Sequence, residues 1–190
     1  MDTSTPVLNR EGIWVPYGML INLSKELLRS LQSHDRKIFI KPDKGHKSFT
    51  GLSFFTERFH EEIREHTGYL NLDPHVMCFL ARHQQLKEIE WRFWIVNKQV
   101  VAWAPYSWEG EIPWSLAHER MLSLAREVAL NSWQPDLAYV VDIVETKTGS
   151  VFVNEINAAS TSGVYSVPIE DLLSALRDVA HLEFSGELTL

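Results

Sequence analysis

The spacing of apolar residues changes period several times along this chain, and each change marks an expected element. Leu27, Leu28 and Leu31 recur at helical spacing behind Ser24, whose hydroxyl can accept an amide hydrogen that the first helical turn leaves unpaired, so a short helix is expected there. Residues 37–41 (KIFIK) read as a strand stopped by Pro42. The loop 43–48 (DKGHKS) leads to a second extended run, 49–55, interrupted at Gly51, and the three together predict an antiparallel flap. Residues 57–66 are charged, with Phe59 and Ile63 at helical spacing, and predict a helix lying on that flap. A short buried strand is expected at 76–80, then a hairpin of 90–96 and 99–104 turning at Asn97-Lys98.

Pro113 suits the first turn of the next helix, which runs to about Leu130 and buries Leu116, Leu122, Leu124, Ala125, Val128 and Ala129. Another hairpin follows: the apolar run 138–141 closed by Asp142, a Thr148-Gly149 turn, and the run 151–153 leading into Glu155-Ile156-Asn157. After a loop at 158–166 comes a helix at 169–181 with Leu172, Leu173, Leu176 and Val179 inward, and the final LEFSGELTL is an edge strand or a tail. The first 15 residues carry no period and stay unassigned. Hairpins grouped with a few helices, without strand-helix-strand alternation, predict an α+β class, with a division of the chain between Leu80 and Glu90.

Composition narrows the function classes. With 190 residues and 45% hydrophobic content the chain can bury a proper core. A net charge of −7 argues against a protein that holds nucleic acid mainly by charge. The single cysteine, Cys78, lies in an apolar run, which excludes an internal disulfide and predicts a buried thiol in a reducing cytoplasm. No apolar run is long enough to cross a bilayer, and MDTSTPVLNR lacks the order of a secretory signal, so no membrane partner is expected. Four of the seven tryptophans, Trp91, Trp94, Trp103 and Trp108, fall in one stretch, where they serve core packing or ligand stacking.

The candidate chemistry lies on the second hairpin. Side chains at i and i+2 of a strand share a face, so Glu155 and Asn157 point one way and Ile156 the other. If the neighbouring strand sets Asp142 on that face, three hard oxygen ligands converge, a set that suits Mg²⁺ shared with substrate phosphates. Arg92, between Trp91 and Phe93, is a cation in apolar surroundings and needs an anion, either Glu90 on its own strand face or a ligand. None of the eight histidines has zinc-site spacing, His46 reads as solvent-exposed, and there is no nucleophile elbow or G-x-x-x-x-G-K-[ST] loop.

Three segments, IFIKPDKGHKSFTG, EIEWRFWIVNKQVVAW and AYVVDIVETKTGSVFVNEINAASTSGVY, taken in this order from Ile38 to Tyr165, resemble the ATP-grasp superfamily. The F-x-K-P strand, the K-x-F-T-G loop, the N-E-I-N run and S-G-x-Y look most like a branch of phages and bacteria defined by one arginine and two lysines. The resemblance implies an ATP-grasp fold of two α+β lobes whose antiparallel sheets clamp ATP. It implies a single domain over 1–190, with an N-terminal segment to about 36, a small nucleotide-binding lobe over 37–88 and a metal-binding, catalytic lobe over 89–190.

By the same resemblance Lys41 holds the α- and β-phosphates, and Lys47 works in the flap loop, where Gly45 lets the backbone approach phosphate. Arg92 faces the γ-phosphate or an acyl-phosphate. Cys78, Phe79, Leu80 and Ala81 form the hinge that offers backbone groups to adenine. Asp142, Glu155 and Asn157 ligate magnesium, with Glu155 bridging two ions, and Ser160, Thr161, Ser162, Gly163 and Tyr165 line the acceptor side. The implied activity is an ATP-dependent carboxylate–amine ligase acting on a small-molecule or peptide carboxylate and an amine through an acyl-phosphate. The alternatives are a non-ligating ATP-binding module and a kinase. Only about 36 residues precede the first core strand, too few for the substrate-binding domain many relatives carry. The chain is therefore expected to be a minimal enzyme, to rely on a homodimer or partner chain that completes the acceptor site, or to be truncated.

Overall fold

The computed structural model describes residues 5–43, 49–69, 73–106 and 119–187, with backbone alone at 67–69 and 106. The chain divides into two compact units: Asn9–Gln84, and the part from Gln85 onward together with the stretch ending at Leu8.

The smaller unit holds β1 (Ile13–Pro16), α1 (Lys25–Leu31), β2 (Lys37–Pro42), β3 (Leu52–Phe55), α2 (Phe59–Tyr69) and β4 (Met77–Arg82), with a 3₁₀ segment, Tyr17–Asn22, after β1. The four strands form one antiparallel sheet in the order β1-β4-β2-β3. Period-two alternation sends Ile38, Ile40, Cys78 and Leu80 to one face, where Leu20, Leu28, Phe59 and Ile63 close the core over them. Ser24 caps α1 as expected, accepting from the Leu27 amide at 3.1 Å. The flap pairing of β2 with β3 is present, although β3 starts only at Leu52 and β2 carries through Pro42. Strand β1 and the 3₁₀ segment lie in or beside the stretch that had no period: β1 is only four residues long, too short to show one.

The larger unit holds β5 (Leu86–Val96), β6 (Gln99–Tyr106), α3 (Glu119–Ala129), β7 (Ala138–Thr146), β8 (Val151–Ala158) and α4 (Ile169–Ser185). Its antiparallel sheet runs β6-β5-β7-β8. Asn97 and Lys98 both take positive φ, 45° and 61°, the geometry of the tight hairpin turn expected between β5 and β6. Helix α3 lays Met121, Leu122, Leu124, Ala125, Val128 and Ala129 on the face formed by Trp91, Phe93, Ile95, Tyr139, Val141, Ile143 and Val153. The expected start of that helix at Pro113, and Leu116, lie outside the described residues. On the other face α4 covers Trp94, Ala102, Ala104 and Val140 with Leu172 and Leu176. Leu173, expected inward, is 57% exposed, because it lies off the stripe that carries Leu172 and Val179. Helix α4 also runs on to Ser185, and Gly186 ends it at φ 72°, so most of the expected tail is helix. The tryptophans at 91 and 94 are buried and Trp103 packs beside them, so the described part of the aromatic cluster is core.

Residues 5–8 lie along the outer edge of β8. The Val153 amide donates to the Pro6 carbonyl at 2.9 Å, the Leu8 amide donates to the Val153 carbonyl at 2.8 Å, and Val7 pairs with Val153. No helix among the described residues is long and apolar enough to cross a membrane.

Candidate functional site

One row across the larger sheet carries the charged residues. Register sets Arg92 of β5 opposite Asp142 of β7, and Asp142 opposite Glu155 of β8, so all three side chains leave the same face. Asn157, two residues past Glu155, follows on that face, donating through Nδ2 to Asp142 Oδ2 at 3.4 Å. Arg92 and Asp142 form a fork: Nε donates to Oδ1 at 2.8 Å and Nη2 to Oδ2 at 2.7 Å, both side chains buried. The carboxylate that forks with Arg92 is thus Asp142 from the neighbouring strand, rather than Glu90 two residues away on its own strand.

The loop after β8 closes over this pair. Tyr165 places its ring 5.2 Å from Arg92 Cζ, and Nη1 lies 3.5 Å from the Gly163 carbonyl. A Cβ on Gly163 would come within 3.1 Å of the Tyr165 ring, so glycine leaves the tyrosine its place. Ala159–Thr161 forms a 3₁₀ turn, and the Ser162 hydroxyl donates to the Ala158 carbonyl at 2.8 Å and that of Thr161 at 3.5 Å. Two of the loop's expected acceptor-side hydroxyls are therefore tied to the loop itself, while Ser160 is exposed.

The ladder between β7 and β8 is irregular at the site. Asp142 faces Glu155 but Ile143 faces Val153, so Asn154 is an extra residue, a β-bulge. Its Nδ2 donates to Glu90 Oε1 at 2.6 Å. Glu90 is half-buried, and that burial pushes its carboxyl above the ordinary range, opposed by the Asn154 hydrogen bond and reinforced by the nearby Asp142 and Glu155 charges. The sequence reading missed Asn154. The signal available was two polar residues in succession between the apolar Val153 and Ile156, which strict alternation cannot place.

In the smaller unit Lys41 is half-buried on the sheet face opposite the core, in a cross-strand row with Phe79 and Trp14. Its Nζ lies 6.0 Å from the Phe79 ring centroid, and Trp14 packs on Phe79 at 5.0 Å. Gly12 makes room for that ring, since a Cβ there would stand 2.0 Å from it. Cys78, Phe79, Leu80 and Ala81 lie in β4, the strand between β1 and β2. Ladders on both its edges engage the backbone that was expected to meet adenine. Backbone outside either ladder comes later, at His83–Gln85, where the two units join in sequence. Phe79 and Ala81 reach the Lys41 face by side chain, whereas Leu80 and Cys78 point into the core. Burial pushes the Cys78 thiol up to about 11, so it is neutral and inert. Lys47, with Gly45 and His46, lies outside the described residues.

The donor chemistry of the larger unit fits a hard cation. Asp142, Glu155 and Asn157 offer only oxygen ligands on one face, as Mg²⁺ prefers. Among the described residues no three His, Cys, Asp or Glu side chains converge by themselves, so the set depends on the Asn157 amide oxygen. Arg92 and Asn157 occupy three lone pairs of Asp142, which leaves Glu155 the more available carboxylate.

Two antiparallel sheets with this strand order, each packed by helices, and the Arg92-Asp142-Glu155 row define an ATP-grasp fold. The chain belongs to the family described as an ATP-grasp domain, family 3 of its clade, whose sequence model matches residues 11–176. Among solved structures it is similar to the ATP-grasp ligase PsnB complexed with a minimal precursor, at 16% identity and a TM-score of 0.53 over 86% of this chain and 50% of that one. It is also similar to the D-cycloserine synthetase DcsG, at 14% identity and a TM-score of 0.52 over 81% and 57%. The D-alanyl-alanine synthetase A of Vibrio cholerae matches at 15% identity and a TM-score of 0.51 over 80% and 51%. The chain thus spans about half the length of each of these. No curated protein matches the sequence.

Proposed function

We propose that this protein is an ATP-dependent carboxylate–amine ligase that uses magnesium. The observation that carries the reading is the Arg92-Asp142-Glu155 row with Asn157 beside it, on the sheet of a chain that belongs to an ATP-grasp family. Supporting it, PsnB, to which the fold is similar, has been solved with Mg and ADP. Bound Mg²⁺ neutralises the triphosphate and the charge that develops on the transferred phosphoryl group. Glu155 and Asn157, with the remaining lone pair of Asp142, would hold it. Lys41 and Lys47 would hold phosphates from the smaller unit, with the Phe79 side chain bordering the nucleotide.

In the proposed reaction a substrate carboxylate oxygen attacks the γ-phosphorus and ADP leaves. The amine nitrogen then attacks the acyl carbon, loses a proton and expels phosphate. Arg92, held by its fork to Asp142 and by the Tyr165 ring, would meet the negative charge of the transferred group. Tyr165 and the Ser160-to-Gly163 loop would border the acceptor, with a second copy or a partner chain completing that side. The lone buried thiol supports a reducing, cytoplasmic setting, and the family match is in keeping with the branch built on one arginine and two lysines.

Mg-ATP at millimolar concentration is expected to raise the melting temperature, and Glu155→Ala to abolish the shift; an unchanged wild-type melting curve would overturn nucleotide binding. Incubation with ATP, pooled amino acids and candidate peptides should yield ADP, phosphate and a product lighter by one water than its parts. A phosphorylated product would instead indicate a kinase, and nucleotide binding without any product a non-ligating module.

A further inference from the structure

Glu155 carries the proposed site, yet among the described residues its exposed carboxylate makes no hydrogen bond or ion pair. Its direction is therefore set by the backbone beneath it. Strict alternation along β8 would put Glu155 on the same face as Val151 and Val153, which pack against the α3 core. The bulge reverses this: Val153 stays in that core, Asn154 and Glu155 both turn to the Arg92 face, and Ile156 returns to the core. Something must hold two successive side chains outward.

The Asn154–Glu90 hydrogen bond does so across a whole strand. Glu90 stands on β5 and Asn154 on β8, with β7 between them, so the two side chains bridge about 9–10 Å of sheet. They pass over Val144, which faces Glu90 in register and is buried. The apolar floor keeps water from the 2.6 Å contact, and a hydrogen bond to a partly desolvated carboxylate is stronger than one in water. Glu90 and Arg92, two residues apart on β5, thus anchor the two positions next to each other in register: Arg92 holds Asp142, and Glu90 holds the residue before Glu155.

We propose that Asn154 and Glu90 are positioning residues that fix the β8 bulge, aim the Glu155 carboxylate and so set the affinity of the site for Mg²⁺. The proposal rests on the magnesium-nucleotide reading above. Partners that orient a ligand without touching the metal commonly govern metal affinity by tenfold or more.

The test is the Mg²⁺ concentration at which saturating ATP gives half its full thermal shift. Asn154→Ala changes no charge and should raise this midpoint about tenfold. In a Glu90→Ala background the same substitution should add no further shift, because the bond it would break is already gone. A purely structural role would lower the metal-free melting temperature and leave the midpoint alone, and that result overturns the proposal. Equal effects of Asn154→Ala in both backgrounds overturn it as well. Should Asn154→Ala not fold, Asn154→Ser shortens the side chain beyond reach of Glu90 and carries the same expectations. A wild type without any Mg-ATP shift removes both this proposal and the ligase reading, whereas a wild-type shift with an unmoved variant midpoint removes this one alone.

Discussion

Arg92 could be singled out from its neighbours alone, since a cation between Trp91 and Phe93 has no water to answer it. Its partner could not. The fork goes to Asp142, 50 residues away, because strand pairing and not chain proximity chooses which carboxylate faces the guanidinium. A buried pair adds little net stability, but breaking it strands a charge in a dry place. Asp142→Asn is therefore expected to destabilise the nucleotide-free protein by about 3 kcal/mol in urea denaturation. Replacing both members, Arg92→Met with Asp142→Leu, should recover most of that loss; a single substitution as mild as an exposed one would sink the account. Lys41 is the converse case. Its strand and face were legible from KIFIK, but its neighbours Phe79 and Trp14 come from strands placed beside it only by the sheet order.

At the scale of elements, period and turn chemistry were legible wherever one face of the element is buried. The Asn97-Lys98 turn, the Ser24 cap and the inward face of α3 from Leu122 to Ala129 all stand as expected, since local sterics and a single apolar stripe decide them. Strand β8 was only half legible. Glu155 and Asn157 do share a face, but the alternation that predicts it fails one residue earlier at Asn154. A contrast between two deletions follows. Removing Asn154 should leave a regular ladder, with Val153 and Ile156 still packed toward α3, so the variant should stay folded by circular dichroism and thermal melting. Removing Ile156 turns Asn157 into that core and should abolish the cooperative transition. Equal tolerance of both deletions would show that the bulge does not set the face. The exposed Leu173 has another cause: adjacent leucines cannot both lie on the stripe of one helix, and packing chose Leu172.

The whole molecule is discontinuous: the chain touches the larger unit at residues 5–8, builds the smaller one, and returns at Gln85. Val7 packs against the α3 core and pairs with Val153, so Val7→Asp buries a charge beside β8. It should lower the larger unit's melting temperature by several degrees, about 2–3 kcal/mol, read from the fluorescence of Trp91 and Trp94; an unmoved transition would mean the segment does not support that sheet. Sequence by itself determined the α+β class, most elements and the residue types of the site, because short-range sterics and the alternation of apolar positions act within a few residues. Tertiary structure alone decided which carboxylate meets Arg92, which residue bulges beside Glu155, and that residues 5–8 edge a sheet formed more than 70 positions later. Those outcomes depend on the register between distant strands, where one residue of slip exchanges the faces and nothing local in the chain records the choice.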